Sequence, residues 1–168
     1  MKLAPGRDTL ESAVADREGQ WISAKRSALV IPAASPSVAL SGITLIRRFD
    51  NAPEYPEPDD PYVNAKAKIV PTLIDTVPGG KGAMLSLYFV VYPQPGVPNP
   101  PKLIMEFLQD GKPVVQGTPE LPPPDARVVI PYIANSPIGN LKPGQYEVRV
   151  TVTQAGRTAQ ESTFVTIE

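Results

Sequence analysis

The chain has 168 residues, 42% hydrophobic and 20% charged, with a formal net charge of -1. That suits one domain, or one domain plus a fragment; it is too apolar for disorder and lacks the positive charge that nucleic acid or an anionic membrane would select. Histidine and cysteine are both absent, which removes the commonest general base, the commonest transition-metal ligand, disulfides and thiolate chemistry.

The chain opens with Leu3-Ala4-Pro5-Gly6, and the same pattern returns as Leu141-Lys142-Pro143-Gly144. Each copy runs into an extended stretch, turns at a glycine (Gly19, Gly156) and returns through a second extended stretch. Each therefore reads as a β-hairpin. The first covers residues 9–16 and 20–31, and a short linker around Pro32 and Pro36 follows. An extended run is expected over 38–46. Residues 51–62 hold four prolines and four acids and read as a long exposed loop.

Further strands are predicted over 68–76, 83–92, 102–108, 112–115 and 126–132. The run 83–92 is apolar almost throughout; Val, Phe and Tyr in its second half and flanking Gly and Pro make it a central strand rather than a helix. Asp110-Gly111 between two extended runs is a hairpin signal. Segments 93–101 and 119–124 are proline-rich connections. In the last hairpin Tyr146, Val148, Val150 and Val152 alternate with Glu147, Arg149, Thr151 and Thr153, giving one buried face and one wet face. Proline makes up 22 of the 168 residues, roughly 13% against a usual ~5%. Its position between extended runs favours strands joined by stiff loops. No apolar run approaches the ~18 residues of a membrane helix, and the start lacks the apolar core of a signal peptide.

The pattern Leu141-x-Pro143-Gly144-x-Tyr146 before a valine-alternating strand resembles fibronectin III-like and other immunoglobulin-like sandwiches. There a corner tyrosine bonds back to the nearby backbone; the alternative is a ring that merely packs. The order of motifs is more specific. It comprises the first hairpin (Pro5-Gly6, Thr9-Leu10-Glu11, Ala13-Val14, Asp16-Arg17-Glu18), then Leu40-Ser41 with Arg47-Arg48, Ile69-Val70-Pro71, a Tyr/Phe-rich strand, Asp110-Gly111-Lys112 and the closing hairpin. In that order they resemble the C-terminal region of acidobacterial von Willebrand factor A-related domain proteins. The resemblance covers nearly the whole chain. It implies an exported parent, extracellular or periplasmic, whose signal lies upstream of residue 1. Two departures stand out. Asp8 occupies the position of Tyr146, so the first hairpin has no tyrosine corner. The Asp-x-Ser-x-Ser metal motif of an A domain is missing, Ala33 standing where Asp is needed ahead of Ser35 and Ser37.

No serine has a histidine or a Ser-x-x-Lys lysine to activate it. The acidic cluster Glu54, Glu57, Asp59 and Asp60 reads as a solvated loop; a weak calcium site and a carboxylate pair are the sharper alternatives. Gly79-Gly80-Lys81-Gly82 lacks the Ser/Thr and the helix of a phosphate-binding loop and reads as a turn. Among the aromatics, Tyr88, Phe89 and Tyr92 sit in the most apolar strand, where at least two are expected in the core. Tyr55, Tyr62 and Trp21 are the candidate interaction surface.

The expectation is an all-β chain. An immunoglobulin-like (fibronectin III-like) antiparallel β-sandwich over residues 33–168 is preceded by the closing β-hairpin of a truncated similar unit over residues 1–32. The function expected is a non-catalytic structural or protein-interaction module of a larger exported bacterial protein. A carbohydrate-binding module using exposed aromatics is the alternative. No catalytic, cofactor-binding or metal residues are assigned, and no nucleic-acid or membrane-inserted partner is expected. The N-terminal hairpin is expected to dock or to self-associate.

Overall fold

The computed structural model describes residues 4–19, 22–31, 33, 35–55, 60–63 and 67–168. Every regular element among them is a strand, so no helix is long and apolar enough to cross a membrane. The chain divides into two compact units, Met1–Pro36 and Ser37–Glu168.

The first unit is a two-stranded antiparallel sheet, β1 (Gly6–Ala15) with β2 (Ile22–Ile31). Glu11 and Arg26, directly opposite one another, form an ion pair across it. Leu10, Val14 and Val30 are exposed. Along β2 the burial alternates, with Ser27, Leu29 and Ile31 half-buried between exposed neighbours.

The described residues of the second unit form ten strands in two sheets that share one core. The first sheet runs β10 (Ile130–Pro137), β7 (Met84–Tyr92), β4 (Thr44–Asn51), β5 (Ala67–Thr72), with the short β3 (Ala39–Leu40) also on β7. The second runs β6 (Thr76–Val77), β12 (Arg157–Ile167), β11 (Gly144–Gln154), β8 (Lys102–Gln109), β9 (Lys112–Gly117). Leu85, Leu87, Phe89 and Val91 from β7 face Leu103, Met105 and Phe107 from β8 and Tyr146, Val148, Val150 and Val152 from β11 in a single buried cluster. This is a β-sandwich-like arrangement. The strand predicted over 83–92 is central: β10 pairs with one edge, β3 and β4 with the other. Tyr88 and Phe89 are buried, and Tyr92 is exposed.

The proline excess has a place in this architecture. Pro71 lies in β5, Pro113 in β9, and Pro131 and Pro137 in β10, and each of these is an edge strand. A proline on an edge removes the N–H that an incoming strand would capture. β1 and β2 contain no proline.

Three of the expected runs are interrupted, cut short or start late. The run over 38–46 breaks at Ser41–Gly42–Ile43, because the Ser41 hydroxyl accepts the Val90 N–H at 2.9 Å in place of a strand carbonyl. The run over 68–76 ends at Thr72, whose Oγ1 accepts the Ile74 N–H at 3.0 Å. Thr76–Val77 then crosses to the other sheet and pairs in parallel with Thr166–Ile167 of β12. The strand expected over 126–132 starts only at Ile130, for a reason that belongs to the candidate site.

The repeated segment folds in the same way twice. Gly6 and Gly144 open their strands with φ of 156° and 150°, a region open essentially to glycine alone. Gly6 pairs with Ile31, and Gly144 with Ile167. The turning glycines Gly19 and Gly156 have φ of 70° and 74°. In this register Leu10 and Val14 stand where Val148 and Val152 stand, and Leu29 and Ile31 where Val165 and Ile167 stand. Asp8 stands where Tyr146 stands. The Tyr146 hydroxyl donates to the Lys142 carbonyl at 2.9 Å, so the corner bond forms in the closing hairpin.

Candidate functional site

Two cavities of the second unit lie on either side of the segment 121–130, which joins β9 to β10. Asp125 organises that segment. Its Oδ1 accepts the N–H groups of Arg127 at 2.9 Å and Val129 at 3.2 Å, and its Oδ2 accepts two bonds from the Arg127 guanidinium. The backbone closes the same turn, Asp125 N–H to Val129 O and Val128 N–H to Asp125 O. This delays β10 until Ile130. Partial burial works against the Asp125 charge, but the Val129 and Arg127 bonds outweigh it and hold the carboxyl below the ordinary aspartate range. The turn forces Val128 to φ 62° while leaving it 65% exposed. A β-branched residue there is an outlier, at a cost of about 1–2 kcal/mol.

The first cavity, about 470 Å³, sits on the outer face of the first sheet. Tyr88 points there because its neighbours Leu87 and Phe89 point into the core, successive side chains of a strand facing opposite ways. Its hydroxyl donates to the Pro61 carbonyl at 2.8 Å. Tyr62 tilts over it with ring centroids 5.7 Å apart, its own hydroxyl 3.5 Å from Thr44 Oγ1. Ile69, buried but outside the main core, completes this patch. Asp125, Arg127, Pro122 and Tyr132 border the opening. Burial raises both Tyr88 and Tyr132 above the ordinary phenol value. The cavity thus presents phenols whose burial disfavours ionisation and a carboxylate whose charge is favoured by the Val129 N–H and Arg127, groups able to stack and to hydrogen-bond.

The second cavity, about 440 Å³, is lined by eight prolines, five from the loop 93–101 and three from 122–124, together with Leu121, Val128 and Ile130. Beneath it lies Gln154, 3% exposed, the buried polar residue among those described. Its Oε1 accepts the Gln94 N–H and its Nε2 donates to the Asn99 carbonyl, both at 2.7 Å. One side chain therefore ties the β7–β8 loop to the end of β11, beside the β11–β12 turn. Gln94 Oε1 is buried in the lining with no partner among the described residues.

The sequence-level surface residues separate. Tyr55 is 85% exposed, while Tyr62 is half-buried against Tyr88 and is not the freely exposed partner of Tyr55 expected from sequence. Trp21 lies outside the described residues, as do Glu57 and Asp59. Of the acidic loop, Glu54 is exposed, and Asp60 Oδ1 accepts the Tyr62 N–H at 2.9 Å. That loop is therefore not wholly exposed: residues 60–63 pack toward β5, with Val63 bridging Lys68. Sequence reasoning passed over Gln94, Gln154, Asp125, Arg127 and Val128. The proline-rich connections were the visible signal, read only as spacers. No protein-family model and no curated protein matches the chain.

Proposed function

We propose that this chain is a non-catalytic immunoglobulin-like, fibronectin III-like β-sandwich acting as a structural and protein-interaction module of a larger exported bacterial protein. The parent it fits is a von Willebrand factor A-related protein of the acidobacterial type, in its C-terminal region. The observation that carries the reading is the double hairpin. Two segments 138 residues apart, from Gly6 to Gly144, share the same glycine angles and the same Gly–Ile closing pair. In the second unit that hairpin completes a sandwich; in the first, the exposed Leu10 and Val14 and the proline-free strands support reading it as the closing hairpin of a similar unit. The Tyr146–Lys142 corner bond supports the immunoglobulin-like assignment. Tandem sandwiches with loops gathered at one end present those loops to partners.

The Tyr62–Tyr88 cavity, with Arg127 and Asp125 at its rim, favours carbohydrate binding as the second reading. Screening the chain on a glycan array and against defined exported proteins separates the two. Protein binding with no glycan signal is expected. A saturable glycan signal lost in Tyr62→Ala reverses the assignment, and turnover of a glycosidic or ester substrate overturns the non-catalytic reading.

A further inference from the structure

We propose that the second edge of β1 receives an antiparallel strand of the β8 type, apolar at alternate positions and basic opposite Glu11, from a neighbouring unit of the parent protein. This rests on the module reading above and names the strand with which the first hairpin pairs. The closing hairpin supplies the template. There β11 lies between β12 and β8, and β8 pairs with all of residues 147–153. Residues 9–15 of β1 stand in those places, yet among the described residues β1 pairs with β2 alone. A two-stranded sheet is marginal by itself in water. The second edge of β12 is paired only at Thr166 and Ile167, so the long partner belongs on β1 and not on β2. Prolines blunt the edge strands β5, β9 and β10, whereas β1 has none and keeps every outward N–H for a partner.

The register fixes the chemistry of that strand. In the closing hairpin Phe107 stands opposite Val148 and Leu103 opposite Val152, all four buried. Leu10 and Val14 hold the places of Val148 and Val152 but are 53% and 72% exposed. Large apolar side chains opposite them take that surface out of water. The charge between them is reversed. Arg149 stands opposite Glu106, and its guanidinium is held above the ordinary value first by the Glu147 bond and also by the Glu106 charge. Glu11 holds the place of Arg149 and pairs with Arg26 on its other side. An acid in the Glu106 place would be repelled by Glu11, and a lysine or arginine there attracted. The strands of a second copy do not meet both requirements. Setting Arg7, the one basic residue of β1, opposite Glu11 puts Asp8 opposite Leu10. Setting Arg26 of β2 there puts Ser27 and Ser23 opposite Leu10 and Val14, and β8 itself brings Glu106. The partner strand is therefore that of a different unit.

The test joins a second copy of the β8 sequence, Lys102–Gln109, ahead of residue 1 of the full chain through a flexible glycine-serine linker. One version keeps Glu106 in the added strand and the other carries Glu106→Lys. Linkage raises the effective concentration to about millimolar, so weak affinity does not hide the pairing. Amide exchange is followed residue by residue by NMR. With Glu106→Lys, exchange should slow at alternate residues between Thr9 and Ala15, those whose N–H groups point away from β2. With Glu106 kept, protection should be about 2- to 20-fold lower, the worth of replacing an attractive cross-strand pair by a repulsive one. Glu11→Gln in the chain should erase that difference while leaving the protection in place. No added protection in β1, protection on β2 instead, or equal protection by both versions overturns the proposal. Protection of β1 that rises with concentration in the chain without the added strand makes a second copy the occupant and overturns it as well. A negative result removes the β1 partner alone, whereas a positive glycan array removes the interaction reading and leaves the exchange measurement untouched.

Discussion

The phenol of Tyr146 is 2% exposed, and its hydroxyl bonds to the carbonyl of Lys142, four residues earlier, at 2.9 Å. The ring packs in the core while the hydroxyl closes the turn that feeds β11, so one side chain joins loop geometry to sheet packing. The two contributions separate by substitution. Tyr146→Phe keeps the ring and should cost about 1 kcal/mol; Tyr146→Ala should cost about 3–5 kcal/mol. Denaturant midpoints at unchanged m-value measure both, and a Phe variant as stable as the parent shows that the corner bond contributes nothing.

Gln154→Leu keeps the volume but strands the Gln94 N–H and the Asn99 carbonyl. A buried polar group left without its partner costs about 1–3 kcal/mol, and that loss of stability is expected here. Hydrogen exchange should quicken in the loop 93–101 before it does in β7 or β8. Uniform protection across the loop would show that Gln154 is not what holds it.

Val128→Gly should stabilise the chain. Relief of the left-handed strain, about 1–2 kcal/mol, exceeds the entropy glycine adds to the unfolded state, about 0.5–1 kcal/mol. A lower melting temperature would mean that Val128 contributes more packing than its exposure indicates.

The pH dependence of Asp125 has a definite sign. Its folded value is lowered, so its contribution is complete above the ordinary aspartate value, about pH 4, and is lost as the pH falls through the depressed value in the folded state. The Asp125→Asn variant should be less stable than the parent at neutral pH, and the gap should close in acid. The effect is small, because the Arg127 partner is largely solvated. A gap that widens in acid refutes the assignment.

Residues 37–168 alone should fold and melt cooperatively, since every residue of the buried core lies between Val38 and Ile167. An unfolded product would make the first hairpin integral to the sandwich. For the same molecule EDTA should leave the melting temperature unchanged within about a degree; a fall of several degrees would reveal a bound cation.

The strands and their faces were legible in the residues. Period-2 alternation in β11, the Asp110-Gly111 turn and the Pro-Gly repeat are local patterns, and a strand's two faces follow from its own sequence because side chains alternate at every residue. Of Tyr88, Phe89 and Tyr92, at least two of them expected in the core, Phe89 joins the main core, Tyr88 is buried on the outer face beneath Tyr62, and Tyr92 is exposed. Proline content pointed to strands and stiff loops, but not to why prolines sit within strands. Only the pairing order shows that Pro71, Pro113, Pro131 and Pro137 guard edges.

The site was decided by tertiary structure. Gln94 and Asn99 meet Gln154 across 60 and 55 residues, and Tyr62 tilts over Tyr88 across a break in the pattern. No periodicity encodes such meetings, because they depend on which loops the sandwich brings to one end. Val128's left-handed backbone is equally invisible in sequence, since it is imposed on a residue that disfavours it by the bonds Asp125 makes to Arg127 and Val129. Local propensity thus determined the strands, whereas closure of the sheets determined which polar atoms of the described residues are buried and which of those are satisfied.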